Sequence, residues 1–246
     1  MTHQMCRWLM VLLVCALAPV AVTAEEASQS KKAESAATRE VPAGAAQPVP
    51  VYKPPLRGKP RARIGGGVRS ATADWPSLFV LVPEHTGQTI SAQPSLFWYV
   101  DGPVPEGVPL MFTVFDDTTV EPLVETELPR PERPGIQRID LAQHGVRLER
   151  GTEYEWTVAL VIDPEQRSSD IVAAGWIDRI EPPSALGAGE GASGARIYAE
   201  QGLWYDALAA ASDAIRADPA DVGLRASREA LLRQVGLGMA EATPAD

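Results

Sequence analysis

The chain has 246 residues, with 22 Lys and Arg against 32 Asp and Glu, and a formal net charge of −10, a balance that argues against general nucleic-acid binding. Both cysteines, Cys6 and Cys15, fall within the first 24 residues. The rest of the chain therefore holds no disulfide framework, thiol nucleophile or cysteine-ligated zinc.

Residues 1–24, MTHQMCRWLMVLLVCALAPVAVTA, contain one basic residue (Arg7), an apolar stretch from Trp8 to Val22 and a small-residue exit at Val22-Thr23-Ala24. That is the layout of a cleavable secretory signal. The alternative is an N-terminal membrane anchor; Pro19 and the acidic pair Glu25-Glu26 favour cleavage. Loss of Arg7 with this segment takes the net charge from −10 to −11. The expected location is periplasmic or extracellular.

Residues 25–50 are rich in Ala, Ser, Glu, Gln and Pro with no hydrophobic period, and read as a disordered tether. Residues 51–74 form a basic leader punctuated by Pro and Gly. Arg57, Lys59, Arg61 and Arg63 in it are candidate contacts to an anionic lipid or cell-wall polymer, at about 1 kcal/mol for each cation near a membrane surface. The structural alternative is an extended leader lying along the acidic domain. Gly65-Gly66-Gly67 is not a phosphate loop, because no Gly-Lys-Ser/Thr follows it.

Residues 75–181 read as an immunoglobulin-like antiparallel β-sandwich in a mainly β chain. The predicted strands are Leu78–Val82, Leu96–Val100, Leu110–Phe115, Val120–Leu128, Ile136–Leu141, Tyr154–Ile162 and Ile171–Ile180, with turn residues between them. Phe79, Phe97, Trp98, Phe112, Phe115, Trp156 and Trp176 are assigned to the core. The last two strands form a hairpin placed in the middle of the sandwich. Its charged tip runs from Asp163 to Asp170, and Glu165, Arg167, Ser168 and Asp170 there are candidate interaction residues. The structural alternative is turn chemistry: an Asx-turn at Asp163, with Arg167 bridging one or both carboxylates.

Residues 182–194 read as a small-residue linker, and 195–240 as a helical hairpin packed on the sandwich, with helices over Ala195–Ala217 and Val222–Val235. Leu203-Trp204-Tyr205-Asp206-Ala207-Leu208 and the following Ala214–Pro219 are similar to the second helix of a tetratricopeptide repeat. One such unit cannot bury its own faces, so it needs the sandwich or a partner's repeat array.

Catalytic constellations are sparse. His85, beside Glu84 and paired with a carboxylate such as Asp116, is the one candidate base for a hydrolase, and no Gly-x-Ser-x-Gly elbow accompanies it. Asp116-Asp117 at a strand end could bind calcium with carbonyl help, but acidic pairs are common in turns without metal, because Asp bonds its own backbone there.

Three stretches together resemble the bacterial domain of unknown function family numbered 928. They are Tyr52–Pro55 through Gly65–Arg69, Val80–Gly87, and Asp163–Asp170 through Gly175-Trp176-Ile177; Leu203–Leu208 fits as well. The resemblance implies an envelope protein of cyanobacteria or proteobacteria and brings no activity. Ser70 departs from a glycine of the pattern, and Ile162 from a frequent cysteine. The functional expectation is a non-enzymatic binding or accessory module, without cofactor or metal, for a membrane or secretion-associated protein partner. A hydrolase of an envelope substrate and a purely structural envelope protein are the alternatives.

Overall fold

The computed structural model describes residues 49–55, 62–66, 75–184, 186 and 191–241. The expected signal, the tether up to residue 48, and Arg57, Lys59 and Arg61 lie outside the described residues.

Among the described residues, nine strands make two sheets, joined by a C-terminal helical region. The first sheet has the order β1-β2-β4-β7, built from β1 (Gly65–Gly66), β2 (Leu78–Val80), β4 (Ser95–Val100) and β7 (Gly135–Asp140). The second has the order β3-β9-β8-β5-β6, built from β3 (Gly87–Thr89), β5 (Leu110–Asp116), β6 (Val124–Leu128), β8 (Glu153–Leu160) and β9 (Ile171–Arg179). All seven predicted strands are present, as a β-sandwich. Two short strands escape the sequence pattern, because β1 is a pair of glycines and β3 is Gly-Gln-Thr, neither with an apolar period.

The hairpin β8–β9 pairs antiparallel from Glu153↔Asp178 to Leu160↔Ile171 and sits inside its sheet, as expected. Trp156, Val158 and Leu160 on β8 are completely buried, as is Phe112 on β5. A Cβ on Gly175, opposite Trp156, would lie 2.9 Å from the Val82 side chain and 3.3 Å from that of Val80 on β2, so the position is packed against the other sheet. β4 is buried on both faces, not alternately. Leu96, Trp98 and Val100 occupy one face, while on the other Phe97 lies under Arg138, whose guanidinium is 5.6 Å from the ring centroid.

Among the described residues the helical region has three α-helices: α1 (Gly191–Glu200), α2 (Trp204–Ala217) and α3 (Val222–Gln234). The predicted single helix over 195–217 is thus two helices, and the first begins at Gly191, inside the predicted linker. The break falls at Gly202, whose φ of 77° is a left-handed conformation that favours glycine. A Cβ at Gly202 would also stand 2.8 Å from the Lys53 carbonyl oxygen, so the break and the incoming chain are matched. Asp221 caps α3, accepting from the Gly223 and Leu224 N–H groups.

The helices are part of the core. Trp204 and Tyr205, at the start of α2, are fully buried and enter at the sandwich edge where the chain crosses from β2 to β3. Trp204 donates its indole N–H to the Leu81 carbonyl at 2.8 Å. Trp156 Nε1 donates to the Tyr205 hydroxyl at 2.9 Å, which in turn donates to the Trp176 carbonyl at 2.9 Å. A Cβ on Gly87 would meet the Tyr205 ring at 2.6 Å, so β3 can only be glycine at that row.

Candidate functional site

The basic leader has a structural part. Tyr52 is buried, its ring stacked on His85 with centroids 6.0 Å apart and set edge-on to Trp204 at 5.0 Å. Its main chain is held by Gln234, which accepts from Tyr52 N and donates to the Pro50 carbonyl, both at 2.9 Å, while Lys53 N donates to the Ala199 carbonyl at 3.0 Å. Ile64 forms an antiparallel bridge to Ala174 of β9. Arg63, a candidate anion contact, is turned inward: it donates to the Val82 carbonyl at 2.7 Å and the Val235 carbonyl at 3.3 Å, and its side chain is 13% exposed. Burial lowers its pKa, against the pull of Glu84. For this residue the leader is a staple between sandwich and helices.

At the hairpin tip, Asp163 makes the Asx-turn, accepting from Glu165 N at 2.9 Å. Arg167 bridges one carboxylate, donating from Nε to Asp170 at 2.7 Å, and the Asp170 side chain is only 4% exposed. Of the four tip candidates, Glu165, Arg167 and Ser168 face solvent and Asp170 does not.

His85, Glu84 and Asp116 do not converge. The Tyr52 hydroxyl takes the His85 Nε2 at 2.9 Å, and burial lowers the His85 pKa. Asp116 lies on the row Gly87–Ile177–Tyr154–Asp116, three strand spacings or about 14 Å from β3. Its Oδ1 accepts from the N–H and hydroxyl groups of Thr118 and Thr119, which lower its pKa. Those donors make an acidic turn of the Asp116-Asp117 segment.

A polar concavity among the described residues lies elsewhere, at the seam between sandwich and helices. A cleft of about 310 Å³ is walled by Ser91–Ser95 on one side and by Tyr198 of α1 on the other. Its floor is one face of α2: Asp206, Ala209, Ala210 and Asp213, at helical positions i, i+3, i+4 and i+7. The loop wall is rigidly built. Arg179 donates to the Ile90 and Leu148 carbonyls, Ser91 N to Thr89 Oγ1 at 3.1 Å, and Gln93 Nε2 to the Val146 carbonyl at 3.0 Å.

Asp206 sits in the first turn of α2, but its carboxylate reaches across the seam and accepts from Ile90 N at 3.1 Å. Burial pushes its pKa up to about 6, against hydrogen bonds from Ile90, Thr89 and Ser91. At the far end, Arg138 of β7 bonds both Asp213 and Asp140, and Arg216 adds a bond to Asp213 at 3.2 Å. Burial works against charge on both Arg138 and Asp140, yet bonds to Asp213 and Asp140 raise the first pKa, and bonds from Ser95 and Arg138 lower the second. The hairpin tip is at the other end of β9, about 26 Å away along the strand.

Sequence reasoning does not single out Asp206 or Asp213. The available signal is their seven-residue spacing with Ala209 and Ala210 between, which marks a polar-ended, small-residue stripe on a helix.

The raised pKa of Asp206 gives a stability prediction. A group held at about 6 when folded and 3.8 when unfolded contributes stability fully below 3.8, and that contribution is lost as pH rises through 6. His85, with its lowered pKa, acts oppositely, losing stability as pH falls below 6.5. Comparing wild type with Asp206→Asn cancels the His85 part. Urea unfolding is expected to show the wild type gaining roughly 2.5 kcal/mol on the variant between pH 7.5 and pH 4. A difference independent of pH would mean that the carboxylate is well solvated.

The model of a family described as Domain of Unknown Function (DUF928) matches residues 64–245. No curated protein matches the chain. Among solved structures, the fn3 domain of human collagen alpha-1(XX) chain aligns with 51% of this chain and 97% of its own, at 13% identity and a TM-score of 0.26.

Proposed function

Because the chain belongs to the DUF928 family, whose description assigns no chemistry, we propose that it is an exported, non-enzymatic binding or accessory module of the cell envelope, with the seam cleft as its ligand site. The cleft carries this reading: polar groups from the Ser91–Ser95 loop, α1 and α2 converge on one space of about 310 Å³ around a half-buried carboxylate. A rigid loop on a β scaffold is also where binding residues usually sit. The finer fold reading is an immunoglobulin-like sandwich. Its support is the strand order, with β2-β4-β7 against β9-β8-β5-β6 and the short β3 running parallel to β9 at the sheet edge.

The test is capture by the mature chain from solubilised membrane and cell-wall fractions, beside Ala210→Leu, which fills the cleft floor. A matched melting curve establishes that the variant is folded. An envelope component is expected to be retained by wild type and lost about tenfold or more by the variant, the scale of 1.4 kcal/mol. Equal retention by both would put the site elsewhere. Retention of nothing by either would remove the binding-module reading.

A further inference from the structure

We infer that the seam cleft recognises a protonated alkylamine, the chemistry shared by a lysine-type side chain and a small aliphatic diamine; this rests on the cleft being the ligand site. Asp206 and Asp213 stand at the two ends of the floor, seven residues or about 10 Å apart along α2. No lysine or arginine is among the described residues that line the space, so the charged side chains of its lining are both carboxylates.

The two carboxylates are not equivalent. Asp213 is neutralised from outside by Arg138 and Arg216. Asp206 is held by the Ile90 N–H and by Thr89 and Ser91, which are neutral donors, so its charge is balanced by dipoles alone. An ammonium group arriving at Asp206 gains an ion pair in a half-buried setting, where the attraction is less screened than at the surface. Between the carboxylates Ala209 and Ala210 leave room for a methylene chain. The rings of Tyr198 and Tyr205 line the same space and can take the alkyl stem or the cation. The net charge of −10 steers a cation towards the chain as a whole.

The experiment titrates the mature chain at pH 7.5 and low salt with 1,5-diaminopentane and with Nα-acetyl-lysine amide, followed by calorimetry. The controls are Nα,Nε-diacetyl-lysine amide, which lacks the charge, and hexanoate, which reverses it. At least one amine is expected to bind, with affinity falling as salt is raised, while neither control binds. Binding of the lysine derivative alone identifies a peptide side chain as the source, and binding of the diamine alone a free aliphatic amine. Asp206→Asn is expected to weaken the amine by about tenfold or more. Because that change also disturbs the Ile90 contact, Ala210→Leu is the second arm and is expected to weaken it similarly with Asp206 intact.

Equal binding of the diacetylated control, amine binding that survives both substitutions, or no amine binding at all would each overturn the inference. Cleft-dependent capture of an envelope component that amines neither bind beside nor displace would overturn the amine inference and leave the binding-module reading standing. Capture that ignores the Ala210→Leu change would overturn both.

Discussion

Trp204→Ala is expected to destabilise the chain by about 3–5 kcal/mol, the range for truncating a buried aromatic side chain. Trp204 has no exposed surface, lies edge-on to Tyr52 at 5.0 Å, and donates to the Leu81 carbonyl at 2.8 Å. Truncation removes apolar burial, leaves a cavity at the sandwich edge and orphans a carbonyl. For a domain of this size the melting temperature would fall by roughly 10 °C. Tyr52→Ala should also be costly, and the double variant should cost less than the two singles together, because the rings share one slot. A loss below about 1 kcal/mol for Trp204→Ala would overturn the placement of the helical region in the sandwich core.

Tyr205→Phe is expected to cost about 2–3 kcal/mol although it deletes a single oxygen. The hydroxyl is a relay, accepting from Trp156 Nε1 and donating to the Trp176 carbonyl, and burial pushes its pKa up so that it stays protonated and able to donate. Removing it strands an indole N–H in the interior, at about 1–3 kcal/mol for an unsatisfied buried group, besides the lost bond to β9. Introduced into a Trp156→Phe background, the same change should cost at least 1 kcal/mol less, since no indole N–H is then left to strand. Equal costs in the two backgrounds, measured by denaturant unfolding, would show that the relay carries no energy.

Much of the sandwich is legible in the residues. Runs such as Leu96–Val100 and Tyr154–Ile162, bounded by Pro, Gly and Asp, specify strands because their period and turn chemistry are local properties. The hairpin tip is legible for the same reason, since an Asx-turn at Asp163 and an i,i+3 pair between Arg167 and Asp170 need only neighbours. The split between α1 and α2 is less so: Gly202 in a helical run is visible, but its left-handed conformation matters because the Lys53 carbonyl lies where a Cβ would go. The burial of both faces of β4 is likewise set by what covers the second face, not by its own alternation.

The candidate site illustrates the limit most sharply. Asp206 and the Ser91–Ser95 loop are more than a hundred residues apart, and nothing local to either announces the other. Arg63 shows the converse, a cation in a basic stretch that the fold spends on main-chain carbonyls. By itself the sequence determined the all-β pattern, the helical tail, the lack of cysteine beyond residue 24 and the acidic balance, because composition, period and turn residues act over a few positions. Only the tertiary structure decided that Tyr52, Trp204 and Tyr205 complete the sandwich core, and that the seam they create leaves a carboxylate facing a cleft. Those outcomes depend on which distant surfaces exclude water together, and burial is a property of the assembled fold.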